Sequence, residues 1–178
     1  MADPLSERSR QVVAVARGVL ERDGPGALTM RRIAEELGIQ APSLYKHVPS
    51  KSALESAIIT SGFEEAAASF AAATEGAADP LAAFVTAYRA FAHAHPHLYR
   101  LMTDRPLPRP DLPPGLEGRT AAPLQRATGD PSRARAAWAF IHGMVLLELT
   151  GRFPDDGLTE QAWSSGIEAM RPPAPPVP

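Results

Sequence analysis

The sequence predicts an all-α fold. Aromatic residues make up only 6% of the chain, and the β-branched residues are too scattered to form the alternating runs typical of strands. Apolar residues instead recur at helical spacing in successive segments, each bounded by an N-capping residue, a proline or a glycine. With 178 residues, 44% of them hydrophobic, the chain is long enough for one core, or for a small module attached to a larger one.

The composition excludes several classes of function. No cysteine is present, which removes disulfides, thiolate catalysis and cysteine metal sites, and fits a reducing compartment. No stretch approaches the ~20 apolar residues of a membrane span, and the first residues lead into charged Glu7 and Arg8 without the apolar core of a signal peptide. We therefore expect a soluble, cytoplasmic protein with no membrane partner.

The N-terminal residues predict three helices, of which the last two are short. The first runs from Leu5 to Asp23 and is stopped by the Gly-Pro-Gly segment that follows. Thr29 is a suitable N-cap for a second helix of about nine residues, which Gly38 would end. Pro42 suits the first turn of a third helix of about seven residues, which the Val-Pro pair at 48–49 ends. Two short helices joined by a tight turn form the helix-turn-helix arrangement.

The remainder of the chain predicts a helical bundle. Ser50 caps a long fourth helix, and Asp-Pro pairs at residues 79–80 and 130–131 mark two further helix starts. Five prolines in residues 104–114 predict an extended or irregular loop. Further helices are predicted over residues 98–103, 116–128 and 158–170.

The only two lysines, Lys46 and Lys51, lie close together in a locally basic part of the chain. Residues 1–52 carry eight arginines and lysines against six acidic residues, in a protein whose net charge is −2. A cation in the first turn of a helix opposes the macrodipole at a cost of roughly 0.3 to 1 kcal/mol, so the position of Lys51 is unfavourable unless an anion binds there. Helix N-terminal amides beside an ammonium group suit a phosphate. The alternative is that Lys51 is simply solvated.

The predicted third helix has a buried and an exposed face. Leu44 and Val48 can pack on Ile33 and Leu37 of the second helix. This packing leaves the other side chains mainly outward: Pro42, Ser43, Tyr45, Lys46 and His47. An exposed tyrosine flanked by lysine and histidine suits contacts with DNA phosphates and with base edges in the major groove.

Residues 27–54, ALTMRRIAEELGIQAPSLYKHVPSKSAL, resemble the DNA-binding segment of the TetR family of transcriptional regulators. In that family the segment lies in an N-terminal three-helix unit, and the fourth helix connects it to a larger helical domain. The resemblance implies a homodimer that represses genes at a palindromic operator in double-stranded DNA until an unknown small-molecule effector binds.

The resemblance also assigns DNA contacts position by position. Thr29 and Arg31 would contact DNA from the second helix. The other contacts would be made at base edges by Ala41, Pro42 and Ser43, and near phosphate by Tyr45, Lys46, His47 and Lys51. Some relatives have a hydrogen-bonding side chain where this sequence has Ala41, and Gln40 can compensate here.

The C-terminal half carries a second, shorter resemblance. The segment WAFIHGMVLLELTGRF, with Trp138, His142 and Gly143, is similar to a TetR subgroup with a Trp-His-Gly signature in its C-terminal domain. Its helix is apolar nearly all round, so one face can meet its own core and the other a second subunit. Large side chains of the helical domain either surround an effector cavity or form its core. The candidate effector-binding residues are Phe84, Tyr88, Phe91, Tyr99, Met102, Trp138, His142 and Met144.

The segment HAHPH could suggest a metal site. However, His93, His95 and His97 are two residues apart, and such side chains point in different directions on a helix, which Pro96 also interrupts. We therefore expect no metal, and interpret His95 as a hydrogen-bonded core residue on the apolar stripe of its helix. No cofactor is expected, and because no glycine-rich phosphate loop or serine elbow is found, the sequence predicts a protein that is not an enzyme.

Together these patterns divide the chain into three parts: a helix-turn-helix DNA-binding domain over residues 1–52, a helical-bundle ligand-binding and dimerisation domain over 53–171, and a disordered Pro-rich tail over 172–178. An effector bound between the fourth and eighth helices would tilt the fourth helix and change the spacing of the recognition helices, which must be about 34 Å or a multiple of it. Two alternatives stay open. One is a helical small-molecule-binding protein or enzyme that keeps the helix-turn-helix only structurally, and the other is a DNA-binding activator without a ligand.

Overall fold

The computed structural model describes residues 6–172, and this part of the chain contains nine α-helices and no strand. The predicted all-α fold is confirmed. The helices are α1 (Glu7–Asp23), α2 (Met30–Glu36), α3 (Ala41–Leu44), α4 (Lys51–Thr74), α5 (Pro80–Ala94), α6 (Pro96–Thr103), α7 (Leu116–Thr128), α8 (Pro131–Leu149) and α9 (Thr159–Met170). None of these helices is both long and apolar enough to span a membrane.

The chain forms two compact units. The first unit contains the residues up to Glu65 together with His95–Leu116, and the second contains Ala66–Ala94 together with the residues from Glu117 onward. Helix α4 therefore contributes its first part to the first unit and its last part to the second. The predicted tail over residues 172–178 lies outside the described residues except for Pro172.

The core of the first unit is built from helices α1 to α4 and α6. Leu20, Ile33 and Leu44 are completely buried, and they come from α1, α2 and α3 in turn. Val48 is also buried, so the inward orientation predicted for Leu44 and Val48 is confirmed. Because α3 has only four residues, it depends on this packing for its stability.

Most of the predicted helix starts are confirmed by their capping hydrogen bonds. The Thr29 side chain accepts a hydrogen bond from the Arg32 amide, and Ser50 accepts one from Ala53. The aspartates of the two Asp-Pro pairs act in the same way, since they accept from the amides of Ala82 and Arg133. These side chains satisfy amides that have no partner inside their own helix.

The prediction that His95 is a core residue on the apolar stripe of α5 is wrong, although its predicted hydrogen bond is present. Helix α5 ends at Ala94, and His95 is the N-cap of α6, with φ −133° and ψ 60°. The cause is Pro96, because a proline disfavours helical dihedrals at the residue before it. The His95 side chain is 28% exposed, and its Nε2 lies 3.0 Å from Oε1 of Glu65.

Helix α6 is capped by a side chain from α1. Its own N-cap residue makes no side-chain capping bond, and Pro96 at its start has no N–H. The next two amides, of His97 and Leu98, donate hydrogen bonds of 3.3 and 2.7 Å to the two carboxylate oxygens of Glu21. A carboxylate is well placed there, because the N-terminus of a helix carries partial positive charge.

Gly62 allows α4 and α6 to approach closely. A Cβ at this position would lie 2.7 Å from Sδ of Met102 and 3.1 Å from a methyl group of Leu98, which is completely buried. The crossing of the two helices therefore requires a residue without a side chain.

We expect Gly62→Ala to lower the free energy of unfolding by about 1 to 2 kcal/mol, because overpacking outweighs the helix propensity that alanine adds. The matched control is Gly18→Ala in α1, where a Cβ would meet no atom within 4 Å. Gly18→Ala should instead stabilise the protein by about 0.5 to 1 kcal/mol. Urea unfolding of both variants checks the prediction, and a stabilising Gly62→Ala would contradict the tight crossing.

The core of the second unit is centred on Phe70 of α4. Its ring packs against Phe84, Tyr88 and Phe91 of α5, with ring centroids 5.0, 5.5 and 6.1 Å away. Contacts between α5, α8 and α9 complete this unit. The predicted stripe of apolar residues along α5 is therefore confirmed as core.

A cluster of charged residues joins α5, α8 and α9. Glu148 of α8 has a side chain that is only 8% exposed. Its carboxylate lies 2.8 Å from an Arg89 guanidinium nitrogen and 2.8 Å from Nε2 of His93, and it accepts a 2.8 Å hydrogen bond from the indole N–H of Trp163. Arg89 also pairs with Glu160 of α9 and lies over the ring of Trp163.

Candidate nucleic-acid interface

Helices α2 and α3 are joined by a turn in which glycine is required. Gly38 has φ +64°, in the left-handed region that side chains disfavour. The next amide, of Ile39, donates a 3.0 Å hydrogen bond back to the carbonyl of Ala34. This ending stops α2 and redirects the chain into α3 within a few residues.

The residues predicted to contact DNA fall into an exposed and a half-buried group. Seven of them are exposed: Thr29, Arg31, Gln40, Pro42, Tyr45, Lys46 and Lys51. The other three are half-buried: Ala41, Ser43 and His47. Tyr45 is 48% exposed, which is a large apolar area to leave in water.

The two arginines of α2 differ in their surroundings. Arg31 has a side chain that is 89% exposed and pairs only with Glu35 on its own helix among the ion pairs of the described residues. Arg32 instead lies 2.8 Å from Glu36 and 3.5 Å from Asp23, which joins α2 to the end of α1. Arg31 is therefore the arginine that can turn to an external anion.

The pairing between α1 and α2 also involves Arg22. Its guanidinium donates hydrogen bonds to both Asp23 and Glu36. The hydrogen bond from Arg22 holds the pKa of Asp23 below its ordinary value, and the bond with Asp23 raises the pKa of Arg22. Arg22 and Arg32 therefore form ion pairs that connect α1 and α2.

Ser9 supports the recognition helix, and our sequence reasoning missed it. This buried serine on α1 donates a 3.2 Å hydrogen bond from Oγ to the backbone carbonyl of His47. It therefore fixes the end of the segment that carries Tyr45 and Lys46. A polar residue at an inward position of α1, one turn before Val12 and Val13, was the available signal.

Lys51 is the first residue of α4, as predicted, and its side chain is 51% exposed. Its Nζ lies 3.7 Å from Oε1 of Glu55, one helical turn further along. At this helix end Ser50 caps the Ala53 amide, and the ammonium group lies at the positive end of the helix dipole. An anion there would interact favourably with both.

The eight residues predicted to line an effector site are divided between the two units, six in the second and two in the first. Phe84, Tyr88 and Phe91 surround Phe70 in the second unit. Two more of the eight, Tyr99 and Met102, are buried in the first unit. Among residues 6–172, a cavity of about 190 Å³ in the first unit includes Met102 in its lining, and a cavity of about 390 Å³ in the second unit includes none of the eight.

The Trp-His-Gly residues lie on the outer part of α8. Trp138 is 49% exposed, stacks on His142 with ring centroids 5.9 Å apart, and donates an indole hydrogen bond of 3.2 Å to the Tyr88 hydroxyl. Met144, by contrast, is buried. A Cβ on Gly143 would meet no atom within 4 Å.

The three histidines of HAHPH have different surroundings. His93 meets Glu148, His95 meets Glu65, and His97 lies beside Gly24. Burial would raise the pKa of Glu65, but hydrogen bonds from Arg17 and His95 outweigh it and hold that pKa low. Within the described ranges, no group of three or more histidine or acidic side chains could hold a metal ion.

A helix-turn-helix that exposes an arginine, a tyrosine and a lysine, and that leads into a long helix with a second lysine at its N-terminus, is typical of a DNA-binding protein. Residues 12–58 match the family model described as bacterial regulatory proteins, tetR family. Residues 81–170 match the tetracyclin repressor-like C-terminal domain. The chain belongs to the TetR family, and it is a DNA-binding transcriptional regulator.

Relatives and solved structures agree with this assignment. An uncharacterized HTH-type transcriptional regulator of Mycobacterium tuberculosis is 32% identical over 166 residues, which cover 87% of this chain and 76% of the relative. The multidrug binding protein EbrR, solved in complex with imidazole, has a TM-score of 0.70 at 23% identity, covering 98% of this chain and 94% of that one. A TetR variant from Acinetobacter baumannii AYE, solved in complex with minocycline, has a TM-score of 0.64 at 24% identity, covering 90% and 92%. Both solved structures show the fold alone.

Proposed function

We propose that the protein is a homodimeric repressor that binds a palindromic operator in the cytoplasm and leaves it when a small-molecule effector binds. The observation that carries this proposal is the exposed set of cations on the helix-turn-helix and at the start of α4. In this proposal residues 1–52 form the DNA-binding domain and residues 53–171 the regulatory and dimerisation domain. A regulator of this kind is not an enzyme.

The DNA contacts follow from exposure and chemistry. Tyr45, Lys46 and Lys51 would bind phosphates, because their polar groups are exposed and two of them are cationic. Thr29 can donate its hydroxyl hydrogen to DNA while its oxygen caps α2. Base edges would be contacted by Gln40, Ala41, Pro42 and Ser43. His47 would lie beside the phosphates, and Arg31 would contact DNA from α2.

An exposed apolar stripe on α8 supports a dimer. Ala136, Ala139 and Leu147 are exposed along one side of this helix, with Gly143 between them. Leu158, the N-cap residue of α9, is 57% exposed. Small residues allow helices to approach closely, so α8 and α9 of two copies can pack as a four-helix bundle that removes this apolar surface from water.

The effector part of the proposal is supported by similarity and by space within the fold. Two structural neighbours were solved in complex with small molecules, one with imidazole and the other with minocycline. The second unit also has an open cavity of about 390 Å³, which is large enough for a small organic molecule. The eight residues predicted to line the site remain candidates.

Helix α4 would transmit the effect, because this one helix contributes to both units. An effector that prefers the state that cannot bind DNA by about 1 to 3 kcal/mol would weaken operator affinity about 5- to 150-fold. A tilt of α4 would move Lys51 and the helix-turn-helix attached to it.

The test begins with genomic DNA fragments selected by the purified protein and footprinted. Lys51→Ala should weaken operator binding and make the slope of log affinity against log salt shallower by about one unit, because one phosphate contact is lost. The control is Arg126→Ala, which removes an exposed positive charge from α7 and should leave the slope unchanged. If no fragment is enriched at moderate salt, the helix-turn-helix is only structural and the proposal fails.

A further inference from the structure

Three charged side chains in the first unit form a chain that ends at the proposed DNA contact. Lys51 Nζ lies 3.7 Å from one carboxylate oxygen of Glu55, and a guanidinium nitrogen of Arg105 lies 3.8 Å from the other oxygen. Arg105 is in the loop that follows α6. Glu55 therefore sits between two cations, one on its own helix and one from a segment about 50 residues later in the chain.

Glu55 opposes DNA binding by this helix end in two ways. Its carboxylate attracts the ammonium group of Lys51 and so competes with a phosphate for it. Once a phosphate is bound, the Glu55 carboxylate repels it, because both are negative and lie about one helical turn apart. The Glu55 side chain is only 23% exposed, so solvent screens this repulsion incompletely. Among the described residues, Arg105 is the cation outside α4 that pairs with Glu55.

We propose that Arg105 is a positioning residue for DNA binding: its guanidinium neutralises Glu55 and thereby leaves Lys51 free for the DNA backbone. The inference rests on the proposed contact between Lys51 and phosphate. It gives a role in DNA recognition to a residue that lies far outside the helix-turn-helix in sequence.

The surroundings of Arg105 allow it to move without disturbing the core. Its side chain is 69% exposed, so little packing is lost when it leaves Glu55. A groove of about 190 Å³, lined by Glu55, Ile59 and Met102 on one side and by Arg105 and Leu107 on the other, separates the loop from the helices. The far end of the loop is held by buried Leu112.

A double-mutant cycle tests the proposal through operator affinity, measured by fluorescence anisotropy at several salt concentrations and compared between variants at the same one. Arg105→Ala should weaken binding about two- to fivefold, and Glu55→Gln should strengthen it by a similar factor, which is the range for partly exposed ion pairs. In the Glu55→Gln background, Arg105→Ala should have no effect, because no carboxylate remains to neutralise. Arg105→Lys should keep most of the wild-type affinity.

The cycle separates this role from two others. If Arg105 contacted DNA itself, its loss would cost the same factor in both backgrounds and would make the salt slope shallower by about one unit, and that result overturns the proposal. If Arg105 only stabilised the fold, the variant would melt earlier and Glu55→Gln would not restore affinity, which also overturns it. Lys51→Ala should reduce the gain from Glu55→Gln, because the competition for the ammonium group is then absent.

One further outcome concerns the proposed function itself. If the wild-type protein binds no DNA while remaining folded by circular dichroism, both the proposed function and this inference fail. If the wild type binds a defined operator but the two substitutions act additively, only the inference fails. The control for loop substitutions in general is Arg109→Ala, four residues further along, which should leave the effect of Glu55→Gln intact.

Discussion

Replacing Phe70 with alanine is expected to lower the free energy of unfolding by about 3 to 5 kcal/mol, the largest loss for any substitution proposed here. Phe70 is 2% exposed and contacts three rings of α5. Its removal takes a large apolar side chain from the core and leaves a cavity that Phe84, Tyr88 and Phe91 cannot fill without leaving their rotamers. Edge and stacked contacts between the rings add to the loss.

Urea unfolding at a fixed protein concentration measures this effect, since a dimer is more stable at higher concentration. The matched control is Phe63→Ala, two helical turns earlier on α4, because Phe63 is only half-buried. Its loss should be clearly smaller. Equal losses would mean that burial of Phe70 among the α5 rings is not what stabilises the second unit.

Glu148→Gln should have the second largest effect on stability, a loss of about 1 to 3 kcal/mol. The substitution keeps the shape of the side chain but removes the charge that Arg89 and His93 meet at 2.8 Å. It also leaves fewer acceptor sites for the indole N–H of Trp163. The control is Glu160→Gln, which breaks the other pair of the same Arg89 at a side chain that is 73% exposed. That variant should lose much less.

The loss at Glu148 should depend on pH. Burial raises the pKa of the Glu148 carboxyl, but hydrogen bonds from His93, Trp163 and Arg89 outweigh it and hold the pKa below its ordinary value. A carboxyl whose pKa is lowered by folding contributes stability above its unfolded pKa, and this contribution is lost as the pH falls through the folded pKa. The difference between wild type and Glu148→Gln should therefore be full at pH 7 and shrink in acid. A difference that grew as the pH fell would contradict this account.

Helix positions could be predicted from the sequence because their signals are local. Each N-cap side chain accepts from an amide three residues later, as at Thr29, Ser50 and the two Asp-Pro pairs. The capping residue therefore lies next to the helix that it starts in the sequence. Leu44 and Val48 are buried as helical spacing predicted, although α3 has four residues and not the predicted seven or so, because it ends at Leu44. The apolar periodicity of α5 predicts His95 within that helix. The restriction that Pro96 places on the backbone dihedrals of the preceding residue ends the helix first.

Contacts between distant segments could not be predicted. Nothing near Glu21 in the sequence indicates that its carboxylate caps α6, and nothing near Arg105 indicates Glu55. The hydrogen bond from Ser9 to His47 and the ion pair between Arg32 and Asp23 could not be predicted for the same reason, since each joins different segments of the fold. The effector candidates shared an apolar character that suits core and cavity equally, so sequence alone could not distinguish a filled core from a pocket.

The cap that α1 gives to α6 has a consequence for how the protein is made. Glu21 and the two amides that it accepts from are 76 and 77 positions apart, and closing so long a loop costs entropy before the contact can form. During synthesis, the helix-turn-helix leaves the ribosome well before Leu98 does, so Glu21 is exposed without its partner while α4 and α5 are still being added. High-separation contacts of this kind slow folding. Helix α6 therefore gains its cap only after the 76 positions from Glu21 to His97 have been synthesised.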